Sequence, residues 1–298
     1  MNYHYRVYGL NIGSELELPE LVPGQPHQDD VTVRFGEVPE HLPIVRGSGV
    51  LFEASANDFL FKFKGIGRYR VQNGRTIVIH PEKEAFPEEI RLVLLGSSIG
   101  ALLHQRGILA LHGSAITDGH QTVIMSGPSG AGKSTLAAAF LELGYSVVAD
   151  DISVIGLNEK QQFIVEPGIP FLKLWKDVLV HFNQPDGLAK VRPRLEKYRM
   201  PIPLPGEEVA PLTRMVILHP SNAKDLKYTE ISGLGKFHQL RDHTYRLQFV
   251  DKLDQTEAHF RNLSQLVNSI QMFRANRPQN LQKVMEFAEH MSHFLFKN

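Results

Sequence analysis

Residues 127–134 read Gly127-Pro-Ser-Gly-Ala-Gly-Lys-Ser134, and Gly127, Gly132, Lys133 and Ser134 occupy the fixed positions of a phosphate-binding loop. Each residue type has a physical task there. The glycines let backbone N–H groups curl around phosphate oxygens, and the N-terminus of a following helix adds a positive field. Lys133 is long enough to reach the β- and γ-phosphates of a nucleotide, and the Ser134 hydroxyl is a ligand for Mg²⁺. The residues expected to cradle ATP are Gly127, Ser129, Gly130, Ala131, Gly132, Lys133, Ser134 and Thr135. The bland alternative is a glycine-rich turn between two elements.

A second signal is the pair Asp150 and Asp151, which follows the apolar run Tyr145-Ser-Val-Val-Ala149. Ligands of α/β sheets bind at the carboxyl ends of strands, so this pair should face the bound phosphates. One carboxylate would hold Mg²⁺ and the other would take a proton from a hydroxyl. Which does which is open, and so is a plain capping role for both. His112, in Ile108-Leu-Ala-Leu-His-Gly-Ser-Ala-Ile116, is expected to lie beside the mouth of the loop, as a polarising group or as a packed scaffold residue. Phosphoryl transfer also needs cations. Lys173, Arg246 and the cluster Arg192-Pro-Arg-Leu-Glu-Lys-Tyr-Arg199 are candidates, although for each a solvated surface charge is the preferred reading. Trp175 is read as a core residue.

These groups need a scaffold. Thr122-Val-Ile-Met-Ser126 reads as a buried strand entering the loop, and Thr135–Leu143, stopped by Gly144, as the helix leaving it. Thr117-Asp-Gly-His-Gln121 is a turn, so the strand carrying His112 should form a hairpin with the strand feeding the loop. Tyr145–Ala149 is a further buried strand, with Ile152–Ile155 as its continuation. Upstream, Tyr3, Tyr5 and Val7, then Val31, Val33 and Phe35, alternate with polar residues as half-buried strands do. Asn73-Gly74 between two such runs signals a hairpin. A helix should open at Pro87 and run to about Gln105. Residues from Gln162 to about Leu218 are broken by prolines, including Pro193, Pro201 and Pro205, and read as short strands and loops. From Gly233 onward the pattern reads as helical, with a last helix over about Gln279–Phe294. The expected division is an N-terminal β-rich domain over 1–86 and a second domain over 87–298.

The chain has 298 residues, with 32 basic and 32 acidic side chains. That parity argues against nucleic acid or an anionic membrane as the partner. There is no cysteine, which excludes disulfides, thiolate metal sites and thiol nucleophiles. No apolar run reaches the ~20 residues of a membrane span, and Met1-Asn-Tyr-His-Tyr-Arg-Val-Tyr8 has no apolar signal core. A soluble cytoplasmic protein is the expectation.

Taken in order, His112-Gly-Ser-Ala, then Gly127 to Thr135, then Val148-Ala-Asp-Asp151 resembles the catalytic domain of HPr serine kinase/phosphorylase, itself related to ATP-dependent phosphoenolpyruvate carboxykinase. The segments Tyr8–Leu21 and Glu166–Trp175 look like the shorter HPr-kinase-like proteins, some of which phosphorylate a serine on lasso peptide precursors. The resemblance implies an α/β, P-loop core of the HPr-kinase and carboxykinase type, with an N-terminal β-rich domain and C-terminal helices. It implies ATP phosphates on Gly127 to Thr135 with Lys133 against them, Mg²⁺ on Ser134 and an aspartate, and Asp150 or Asp151 as base, assisted by His112. The function it implies is ATP- and Mg²⁺-dependent phosphorylation of a serine hydroxyl on a peptide or protein; a homo-oligomer is compatible with it. The alternatives are a non-catalytic nucleotide-binding regulator and a small-molecule kinase. The chain departs from the bifunctional enzyme in its N-terminal region and lacks the glycine-rich signature downstream of the aspartates.

Overall fold

The structure is a computed structural model and describes residues 1–26, 29–203, 206, 209–221, 227–278 and 280–297. Mixed α/β throughout, the chain folds as two units. One comprises Met1–Ala110 with Tyr245–Asn262, and the other Leu111–Thr244 with Leu263–Asn298. The sequence reading divides the chain at 86–87, whereas the units divide at 110–111. Among the described residues no helix is long and apolar enough to cross a membrane.

The first unit is built on a nine-stranded sheet, whose hairpins follow from local chemistry. Strand Gly67–Gln72 alternates strictly, burying Tyr69 and Val71 on one face. Asn73 and Gly74 then both take positive φ, 54° and 59°, which returns the chain into Thr76–Pro81. Phe59, Phe61 and Phe249 pack together at tilted and edge-on angles, with ring centroids 4.5 to 5.7 Å apart. The helix expected from Pro87 is present, but a π-helical turn over Leu94–Ser98 interrupts it between Pro87–Val93 and Ile99–Gln105.

The second unit centres on a six-stranded mixed sheet. Its strands run in the order Ser146–Ala149, Gly113–Thr117, Thr122–Ser126, Leu212–Ser221, Gln271–Pro278 and Tyr228–Glu230. The hairpin forms between Gly113–Thr117 and Thr122–Ser126, with Gly113 paired to Ser126 and Thr117 to Thr122, but His112 lies just before the paired strand rather than on it as expected. The central strands Thr122–Ser126, Leu212–Ser221 and Gln271–Pro278 are parallel to one another. Helices Lys133–Glu142 and Val284–Phe296 share a core of Leu136, Phe140, Phe287 and Met291. Leu136 to Phe140 are all buried, so this helix is covered on every side, and its core contacts rather than an amphipathic stripe hold it.

Three expectations are corrected. Gln271–Pro278 is a strand, not helix; pairing along Leu212–Ser221 outweighs its weak local pattern. Ile152–Ile155 does not extend Ser146–Ala149. The chain turns at Asp151, where φ is +72°, and Ser153–Leu157 pairs instead with Phe163–Val165. The last helix is preceded by a 3₁₀ turn over Leu281–Lys283 and begins at Val284. Its expected start at Gln279, like Pro205 in the proline-broken region, lies outside the described residues.

Candidate functional site

The glycine-rich loop joins the fully buried strand Thr122–Ser126 to the helix Lys133–Glu142. Gly132 is the N-cap of that helix and sits in the left-handed region at φ 79°, with no side chain satisfying the first turn. The first N–H groups of a helix have no partner within it, so this end is set up to receive an anion. Lys133 lies in the same turn, and its Nζ donates to the carbonyls of Gly127 at 2.9 Å and Pro128 at 3.2 Å. Burial lowers the Lys133 pKa, while the charges of Asp151 and Asp150 act against that shift.

Both aspartates lie where the sequence placed them, at the end of Ser146–Ala149 and across from the loop helix. They are held differently. Asp150 is buried, and its Oδ1 accepts from Ser114 Oγ at 2.6 Å and from Ser134 Oγ at 3.0 Å. Its Oδ2 accepts from the Lys173 backbone N–H at 3.4 Å. Burial pushes the Asp150 carboxyl up, and the neighbouring Asp151 charge adds to this against the two serine bonds. Asp151 is more open. Its Oδ2 accepts from Lys173 Nζ at 2.7 Å, and its Oδ1 lies 3.4 Å from His112 Nδ1. Burial would raise its carboxyl too, but the charge and hydrogen bond of Lys173, with His112 and Lys197 behind them, outweigh it and hold the value at about 2. The left-handed turn at Asp151 is backbone strain concentrated at this one point of the strand end.

His112 is at the mouth of the loop as expected. Its carbonyl accepts from Ser126 Oγ at 2.6 Å, its Nδ1 lies 2.9 Å from the Asp151 carbonyl, and its backbone N–H donates to His243 O at 2.7 Å. The far wall of the cleft is a two-stranded ribbon, Phe171–Trp175 against Lys197–Pro201, in which Lys173 faces Arg199 and Trp175 faces Lys197. Leu172 and Met200 pack into the core, and the alternation of the ribbon turns Lys173 and Lys197 toward the loop.

Two sequence expectations change here. Trp175 is not a core residue: it is 49% exposed, lines the cleft, and carries Lys197 Nζ 5.6 Å from its ring centroid. Lys173 is no solvated surface charge, because it is paired to Asp151. Of the basic cluster, only Lys197 lines the cleft, while Arg192 and Arg194 are exposed. Arg246 belongs to the first unit, where it donates to Ser97 Oγ at 3.0 Å and lies over Tyr245 and Phe249.

Sequence reasoning missed Ser114, His243 and Arg277. Ser114 follows His112 by two positions, and that spacing, which puts alternate residues of an extended chain on one face, was the available signal. His243 is half-buried, and burial first, then the charges of Lys133 and His112, bring its pKa to about 4. Arg277 donates from Nη1 to the Ala131 carbonyl at 2.7 Å.

The donors present fit Mg²⁺. Ser134 Oγ and Asp150 Oδ1 are hard oxygens 3.0 Å apart. Adjacent oxygens in an octahedron with bonds of about 2.1 Å are themselves about 3.0 Å apart. Among the described residues no group of three or more histidine or acidic side chains is arranged to hold a metal alone. A cation here would therefore draw its remaining oxygens from phosphate and water, as Mg²⁺ does.

No protein-family model and no curated protein matches the chain. Among solved structures it is similar to the Hpr(Ser) kinase/phosphatase from Coxiella burnetii, over 63% of this chain and 92% of that one, with 14% identity and a TM-score of 0.29. An overlap of that extent leaves the chemistry to be read from the loop and its two aspartates.

Proposed function

We propose that the chain is an ATP- and Mg²⁺-dependent phosphotransferase acting on a serine hydroxyl of a peptide or protein, of the kind that the HPr-kinase resemblance implies. The observation that carries this reading is the division of labour between the aspartates. Asp150 faces the Ser134 hydroxyl at 3.0 Å, while Asp151 opens to the cleft between Lys173 and His112. Gly127 to Thr135 hold the triphosphate, and Lys133 leaves the Gly127 and Pro128 carbonyls for phosphate oxygens. Ser134 and Asp150 would hold the Mg²⁺, which would supply positive charge against the phosphates.

Asp151 orients the acceptor hydroxyl. As the new O–P bond forms and the bond from the γ-phosphorus to the bridging oxygen breaks, the hydroxyl proton passes to Asp151 and ADP departs. A carboxylate held at about 2 is a feeble base. It suffices here because phosphoryl transfer passes through a loose transition state, in which the proton is lost late and positioning dominates. Lys173 and Lys197 supply positive charge on the acceptor side of the cleft.

The test is transfer from ATP labelled in its γ-phosphate, with mass spectrometry of co-expressed candidate peptides to find a gain of one phosphate on serine. D151N should lose most of the transfer while binding ATP like the wild type. Transfer at the wild-type rate in D151N would end this assignment. Nucleotide binding with no phosphate gained by any peptide, protein or small metabolite would leave a regulator instead of a kinase.

A further inference from the structure

Arg277 sits in the strand Gln271–Pro278, opposite Pro220 of the parallel neighbour, and is only 9% exposed. Its Nη1 donates to the Ala131 carbonyl at 2.7 Å. The guanidinium stands so close to the loop that a Cβ added at Gly132 would run into it. Its Nε is buried with no hydrogen-bond partner among the described residues. Burial lowers its pKa, and among the described residues no acid is paired with it.

That is an expensive place for a cation. A buried charge is costly unless an opposite charge compensates it. The N-terminus of the helix Lys133–Glu142 is itself the positive end of a dipole, so the two repel each other. A neutral side chain of similar size would brace Ala131 without that penalty. A guanidinium is explained if an anion on the loop completes its environment, and arginine is the side chain best matched to phosphate. We infer that Arg277 supplies buried positive charge to polyphosphate held on the glycine-rich loop, acting from beneath it while Lys133 acts within it. This rests on the nucleotide-binding reading above and deepens it by adding a residue some 140 positions downstream of the loop motif.

The test is competition of ATP, ADP and AMP against a fluorescent ATP analogue, on the full chain, for the wild type, R277K and R277M, with circular dichroism as the check on folding. If Arg277 acts by charge, R277M should bind ATP and ADP about tenfold or more weakly, the scale of a lost hydrogen bond to a charged group. AMP should change little, and the loss should shrink at high salt. R277K should recover most of the ATP and ADP affinity. A folded R277M with wild-type affinity for ATP overturns the inference, and so does an equal loss for all three nucleotides, which marks a brace acting through loop shape alone. Should R277M fail to fold, R277K decides: retained preference for ATP over AMP supports the charge role, and loss of that preference overturns it. A wild-type protein that binds none of the three removes the nucleotide reading itself, an outcome distinct from the others.

Discussion

Ser134 Oγ donates to Asp150 Oδ1 at 3.0 Å, joining the first turn of the loop helix to the end of the strand Ser146–Ala149. Ser114 reaches the same oxygen at 2.6 Å from the hairpin strand. Three elements therefore meet at one carboxylate, whose charged form burial disfavours. The D150N variant keeps the shape and an oxygen for both serines while removing the charge. Its melting temperature should equal or exceed that of the wild type. Phosphoryl transfer should fall by about 10²- to 10³-fold, the scale of a lost electrostatic contact at a transition state. Calorimetry and Mg²⁺ titrations of transfer check both. A D150N enzyme that works at wild-type Mg²⁺ concentration would show that this carboxylate does not hold the metal.

Two loop glycines separate backbone strain from crowding. Gly130 and Gly132 have nearly the same φ, 81° and 79°, yet a Cβ at Gly130 meets open space and one at Gly132 meets Arg277. G130A should cost about 1–2 kcal/mol, the penalty of placing a side chain in the left-handed region. G132A should cost distinctly more, because the Arg277 guanidinium must also move from the Ala131 carbonyl. Urea unfolding of the two variants compares them directly. Equal losses would mean that Arg277 yields freely and is not seated against the loop.

What could be read in the sequence was local or fixed by spacing. The loop, the hairpin that begins next to His112, and the strand end followed by Asp150 and Asp151 come from contiguous patterns that need no distant partner. The rest depends on pairing across long separations. Gln271–Pro278 becomes a strand only because Leu212–Ser221 lies beside it, and Arg277 reaches Ala131 only through that pairing. A tryptophan closing the apolar run Phe171-Leu-Lys-Leu174 resembles core, which is why the sequence reading places Trp175 there. The register of Phe171–Trp175 with Lys197–Pro201 turns it toward the cleft instead.

His243 should make stability depend on pH. Burial, with Lys133 and His112 behind it, brings its pKa to about 4, against about 6.5 in an unfolded chain. Between those values the unfolded chain binds a proton that the folded chain refuses. Stability should therefore fall as the pH drops from about 6.5 toward about 4. His104, pushed in the same direction by burial, contributes to the same window. Urea midpoints at pH 7 and pH 5 for the wild type and H243Q test this. The variant should lose less stability between the two. An equal loss would show that His243 does not carry the effect.

Trp175 is the single tryptophan of the chain and lies on the wall of the cleft, 49% exposed. Removing a side chain this open should change stability by no more than about 0.5 kcal/mol, so its variants report on ligands rather than on folding. Its indole faces water and the Lys197 ammonium, whose Nζ is 5.6 Å from the ring centroid, and any ligand entering between the ribbon and the loop must alter that environment. Addition of MgATP should produce a saturable change in intrinsic fluorescence, absent in W175F. K197M should alter the starting signal by removing the cation above the ring. W175A should raise the KM of the substrate that rests on that wall, with kcat less affected, as expected for a residue that contributes binding and no chemistry. Fluorescence unmoved by saturating nucleotide and acceptor, together with unchanged KM values in W175A, would mean that neither substrate uses the ribbon face. The acceptor would then have to approach Asp151 from the His112 side.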